Sequence, residues 1–187
     1  MLYHVSNISG LKSIEPRSST HGKPYVYAAD NFVISLLFGV RQDDFDFIID
    51  LNNDGVPEIY ECYEDALVLH YKEKQCSVYR LKDSGFLKGQ TSWDAELVSE
   101  HTTYVESETV IKDLYPRLME EEADDNLIIH RYENTIEYKH LVSMHIVDRL
   151  IRFNAMKYIE FDERFQKYYS KLIQGLNDLM SGHYLNG

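Results

Sequence analysis

Apolar positions change their spacing partway along the chain. Before residue 116 they come in short runs separated by turn signals, the mark of strands and brief helices. Residues 1–5 fit a buried strand. Ser6 and Asn7 are candidate caps for a short helix over Ile8–Ile14, stopped by Pro16. A polar loop over Ser18–Lys23 leads into a strand over Pro24–Ala28. Asp30 or Asn31 caps a helix that runs through Phe38, with Gly39 closing it. Phe45–Leu51 and Ile59–Tyr63 read as strands around Asn52-Asn53-Asp54-Gly55, a strong hairpin turn. Glu64–Tyr71 fits a short helix or turn. Ser77–Leu81, Ala95–Ser99, Thr102–Val105 and Thr109–Leu114 continue the strands, with a loop over Gly85–Ser92.

After Pro116 the spacing lengthens. Glu120-Glu121-Glu122 to Asn126 forms an acidic boundary, and from there to Met180 the pattern is helical. Leu141, Met144, His145, Asp148 and Arg149 keep helical spacing. Phe165, Tyr168, Tyr169, Leu172, Ile173, Leu176 and Leu179 keep the i, i+3, i+4, i+7 period of an amphipathic face. The expected architecture is α+β: a mixed, mostly antiparallel split sheet with short helices over residues 1–118, then a helical C-terminal appendage over 119–187.

Charge narrows the partners. The 187 residues carry 31 acidic and 19 basic side chains, a formal net charge of −12. Such a surface repels nucleic acid and anionic membranes. Lys and Arg are scattered, so no basic run stands out. Cys62 and Cys76 have no zinc-ligand spacing and fit a reduced, cytoplasmic protein. No apolar stretch approaches the ~20 residues of a membrane helix. There is no P-loop, G-x-G-x-x-G, H-E-x-x-H or G-x-S-x-G motif.

Three segments carry candidate chemistry. His4 sits in Leu2-Tyr3-His4-Val5-Ser6. Tyr27 sits in Tyr25-Val26-Tyr27-Ala28-Ala29-Asp30, with Ser35 eight and Phe38 eleven residues on. Glu96 sits in Trp93-Asp94-Ala95-Glu96-Leu97-Val98-Ser99, with Glu100 a weaker neighbour. Tyr27 and Phe38 offer two aromatic faces, which can sandwich a flat cationic ring. Ser35 can hydrogen-bond its substituent, and Glu96 can stabilise positive charge that develops nearby. The same residues also fit aromatics packed into a core and a solvated strand glutamate.

In order and spacing, residues 1 to about 115 resemble the H-Y-E class of ADP-ribosyltransferase-like domains, which holds diphtheria toxin and the poly(ADP-ribose) polymerases. There a histidine on the first strand binds the ribose next to adenine. A loop with glycine and lysine, here His21-Gly22-Lys23, precedes the tyrosine strand. A catalytic strand then carries the glutamate. The resemblance implies NAD as substrate, bound by His4, Val5, Ser6, Tyr27, Ser35 and Phe38. His4, Tyr27 and Glu96 form the catalytic set. The implied activity is mono-ADP-ribosyl transfer: cleavage of the nicotinamide–ribose bond and transfer to an acceptor that the sequence leaves open, a protein among the candidates.

Two departures matter. Val5 stands where the class has glycine, and Phe38 where it usually has tyrosine. They keep open a non-catalytic nucleotide-binding or interaction domain on the same fold. RNA 2′-phosphotransferase shares the fold but relies on arginines where this chain has tyrosine and glutamate.

Asp50-Leu51-Asn52-Asn53-Asp54-Gly55 with Glu61 also fits an EF-hand calcium loop. The flanking strand pattern, Pro57 and the lack of a second copy favour a hairpin instead.

Overall fold

Strand β1 (Leu2–Ser6) lies near the middle of the larger sheet in the computed structural model, which describes residues 1–18, 23–82, 85–91, 93 and 95–180. The short strands β2 (Ser13–Ile14) and β3 (Arg17–Ser18) follow, then β4 (Pro24–Ala29) and helix α1 (Phe32–Leu37). A hairpin of β5 (Phe47–Leu51) and β6 (Pro57–Glu61) leads to α2 (Ala66–Tyr71) and β7 (Cys76–Leu81). Next come β8 (Leu87–Lys88), β9 (Glu96–Ser99), β10 (Thr103–Ile111) and α3 (Leu114–Ala123). Strand β11 (Ile128–His130) precedes α4 (Ile136–Arg152), α5 (Glu163–Lys167) and α6 (Ser170–Met180).

The larger sheet runs β2-β10-β7-β1-β4-β9-β8, with β3 paired to β4, and its pairings are antiparallel. The smaller sheet, β11-β6-β5, has one parallel and one antiparallel pairing. The chain is therefore α+β with a mostly antiparallel sheet and short helices. No helix among the described residues is long and apolar enough to cross a membrane.

Local chemistry explains the elements that place the site. Asn31 caps α1, its side chain accepting from the backbone N–H groups of Val33 and Ile34. Gly39 follows Phe38, the last cap residue. A Cβ there would come within 2.8 Å of Leu114 and 3.0 Å of both Cys76 and the Leu36 carbonyl. That approach, rather than a cap, is what requires glycine. The Asn52–Gly55 turn closes the expected hairpin: Asn52 Oδ1 accepts from the N–H groups of Asp54 and Val56, and Gly55 sits at φ +78°. Glu61 bonds the N–H groups of Leu67 and Tyr132, so its carboxylate is engaged away from the turn.

Several expectations need correction. Ile8–Ile14 is not a helix. Gly10 takes a left-handed φ of +79°, and tertiary bonds claim the local backbone: the Tyr79 hydroxyl donates to the Ile8 carbonyl and accepts from Leu11 N–H, while Gly10 N–H donates to Glu108. The strand expected over Thr109–Leu114 ends at Ile111, because Asp113 caps α3. The change of spacing placed after Pro116 therefore falls within that helix. Pro116 lies in the first turn, where a missing N–H costs nothing. The acidic run belongs largely to α3 as well; Glu121 is buried against Arg117 and Asn126. The stretch after Asn126 includes a strand, β11.

The expected division after residue 118 falls inside α3. Val142, Ile146, Leu150, Phe165 and Ile173 share one core cluster with Leu36, Leu37, Tyr71 and Leu118. Cys62 and Cys76 are free and buried in that cluster. His21, Gly22, Ser92 and Asp94 lie outside the described residues, as does the side chain of Leu179.

Candidate functional site

Three neighbouring strands bring the candidate residues together. Tyr3 of β1 pairs with Ala29 of β4, and Ala29 pairs with Glu96 of β9, so the three stand in a row across the sheet. Tyr27 lies two residues earlier on β4, on the same face as Ala29. The β1–β4 register is the single pair Tyr3↔Ala29. Beyond it the strands are bridged by a side chain: His4 Nδ1 lies 2.7 Å from the Tyr27 carbonyl oxygen.

A cavity of about 220 Å³ opens at this place. His4, Val5, Tyr27, Ser35, Phe38 and Glu96 all line it, together with Trp93. Six of the seven expected site residues thus meet in one cavity. The seventh, Ser6, does not reach it. Ser6 accepts from Ile8 N–H and lines a larger adjoining cleft of about 770 Å³, which His4, Val5, Tyr27 and Phe38 also border. Glu100 is exposed and pairs with Lys23 at 3.7 Å.

The polar groups are already oriented. A carbonyl can only accept, so His4 Nδ1 carries the proton. Burial, the largest effect, lowers the His4 pKa from its ordinary 6.5; the bond to Tyr27 opposes this and Arg17 adds to it. The ring is therefore neutral at pH 7, and Nε2 is left as an acceptor. A ribose hydroxyl can donate to it. The Ser35 hydroxyl donates to the Phe32 carbonyl at 2.6 Å, so its lone pairs can accept from a carboxamide NH₂. Glu96 supplies a carboxylate to the same wall.

Aromatic rings form the other walls. Phe38 is 44% exposed rather than buried in the core, and its centroid lies 5.3 Å from that of Trp93. A turn with Glu96 N–H bonded to the Trp93 carbonyl at 3.2 Å places Trp93 beside the glutamate. Tyr27 packs edge-on against Tyr25. Trp93 was not among the expected site residues. Its position three residues before Glu96 was the available signal.

Folding also gathers cations that look scattered in sequence. Lys12, Arg17 and Arg41 all border the larger cleft, where Glu15 is the sole acidic lining residue among those described. No linear signal marks them, since Lys12 and Arg17 are five residues apart and Arg41 lies far along the chain. No family model matches the chain, and no significant match to a curated protein or a solved structure is found.

Proposed function

We propose that this protein is an NAD-dependent mono-ADP-ribosyltransferase built on an ADP-ribosyltransferase-like fold. The observation that carries the reading is the meeting of His4, Tyr27, Ser35, Phe38 and Glu96 on one cavity from three separate segments of the chain. Each group then has a role that suits its chemistry. Tyr27, Phe38 and Trp93 provide faces for the nicotinamide ring, which is cationic in NAD. Ser35 accepts from its carboxamide. Neutral His4 accepts from a ribose hydroxyl in the larger cleft.

Glu96 serves the bond that breaks. The electron pair of the bond between ribose C1′ and the ring nitrogen leaves with nicotinamide, and positive charge develops on the ribose. A carboxylate beside it stabilises that charge in the transition state. An acceptor nucleophile then bonds to C1′ and gives up its proton to the Glu96 carboxylate and from there to solvent.

Glu96→Gln keeps shape and hydrogen-bonding reach but removes charge. It should leave NAD affinity intact and slow nicotinamide release by about 10²–10³. Tyr27→Ala should weaken NAD affinity, since stacking acts in the ground state. Small, equal effects of Glu96→Gln on both quantities would remove the catalytic role.

A second reading is a non-catalytic nucleotide-binding domain. It is favoured by Val5, which lines the cavity where the class has glycine, and by Phe38, which lacks a hydroxyl. NAD binding without nicotinamide release by the wild type would select it.

A further inference from the structure

Carboxylates outnumber cations in this chain, and its arginines are paired accordingly. Arg80, Arg117, Arg131, Arg149, Arg152 and Arg164 each have a carboxylate oxygen within 4 Å. Six of the eight arginines are thus engaged. The two with no such partner among the described residues are Arg17 and Arg41, and both line the same cleft.

Their placement is built by the fold. Arg17 is held by β3, where it pairs with Tyr25 at the start of β4. Arg41 follows the tight passage at Gly39, where neighbouring atoms leave no room for a Cβ. Arg17 also reaches His4 electrostatically. Lys12 is a third cation of the cleft, with its charge partly answered by Glu108.

We infer that Arg17 and Arg41 form a diphosphate-binding subsite, so that the larger cleft takes a nucleoside diphosphate beside the ring cavity. A planar guanidinium offers paired N–H donors that match phosphate oxygens. The chain has neither a P-loop nor a G-x-G-x-x-G turn, so side-chain charge is the available means of holding a diphosphate. The cleft has the volume for a nucleotide and shares His4 and Tyr27 with the smaller cavity. This inference rests on reading the two cavities as one dinucleotide site. A nucleic acid strand fits the same local charge, but the net charge of −12 opposes a long polyanion.

Calorimetric titration with ADP, adenosine, nicotinamide and a short single-stranded oligonucleotide tests it. Wild type, the Arg17→Ala/Arg41→Ala double variant and the Arg17→Lys/Arg41→Lys double variant are compared. Both arginines are exposed, and thermal melts check that the variants stay folded. ADP should bind the wild type at least about tenfold more tightly than adenosine does, and lose affinity as salt rises. The double alanine variant should lose about tenfold or more for ADP and nothing for nicotinamide. The double lysine variant should recover part of the loss. No ADP binding by the wild type, equal ADP binding by wild type and the alanine variant, or tighter binding of the oligonucleotide than of ADP would each overturn the inference. Arginine-dependent ADP binding with no nicotinamide release from NAD supports the subsite while overturning the transferase reading.

Discussion

His4 and His70 are two histidines pushed in opposite directions by their surroundings. Burial chiefly lowers the His4 pKa, whereas the bond to Asp46 chiefly raises that of His70. The sign of each contribution to stability follows. A histidine whose folded pKa is lowered helps fully above about pH 6.5 and loses that contribution as pH falls toward the folded value. One whose folded pKa is raised helps fully below about pH 6.5 and loses its contribution as pH rises through the folded value. An NMR titration of the ring protons should show His4 titrating below 6.5 and His70 above it; the reverse order would contradict the burial of His4 and the bond from His70 to Asp46. Trp93 gives a second test. It is the single tryptophan of the chain and lines the ring cavity, so NAD should saturably quench its emission, and Tyr27→Ala should shift that curve to higher NAD. Quenching that never saturates would place the ligand elsewhere. At this scale the sequence was legible where a spacing carried chemistry: His4, Tyr27, Ser35, Phe38 and Glu96 reached one cavity. Trp93 was signalled only by its nearness to Glu96, and Arg17 and Arg41 were not legible, because tertiary structure alone brings them to the larger cleft.

Among the elements, the segment over Ile8–Ile14 shows how a tertiary hydrogen bond overrides a local signal. Its candidate caps and apolar residues suit a helix, but the Tyr79 hydroxyl, reaching across from β7, holds the Ile8 carbonyl and the Leu11 N–H. Tyr79→Phe leaves those backbone groups without that partner. The expected cost is about 0.5–1.5 kcal/mol in urea unfolding, and no loss of stability would contradict the bonding described. The loop after α1 depends on a steric fact instead. Gly39→Ala pushes a methyl against Leu114, Cys76 and the Leu36 carbonyl, an overpacking of about 1–3 kcal/mol by the same measurement. It should also weaken ADP binding by displacing Arg41. Strands with flanking turn residues, such as β5 and β6, were readable because Asn52 and Gly55 specify their connection locally. Helix α3 was not, because Thr109–Leu114 reads as a strand and Glu120–Asn126 as an acidic boundary until Asp113 is seen to cap a helix between them.

For the whole molecule, composition suggested a division that packing does not respect. Residue 118 is fully buried in α3, β11 extends the sheet begun by β5 and β6, and side chains of α4 and α5 share the core with α1 and α2. Arg164 of α5 also reaches Asp43 and Asp46 before β5. A chain ending at residue 118 should therefore lose cooperative thermal unfolding; a sharp transition in that fragment would show an independent domain. The acidic balance likewise described the average surface and not the cleft, where folding concentrates Lys12, Arg17 and Arg41. In the proposed complex one end of NAD enters the smaller cavity and the other the larger cleft. A crystal structure of the NAD complex tests this placement most directly. In that complex the nicotinamide ring should lie against Tyr27 and Phe38, its carboxamide on Ser35, ribose C1′ beside Glu96 and the diphosphate near Arg17 and Arg41. Density for NAD away from these residues, or both cavities empty at saturating NAD, would contradict it.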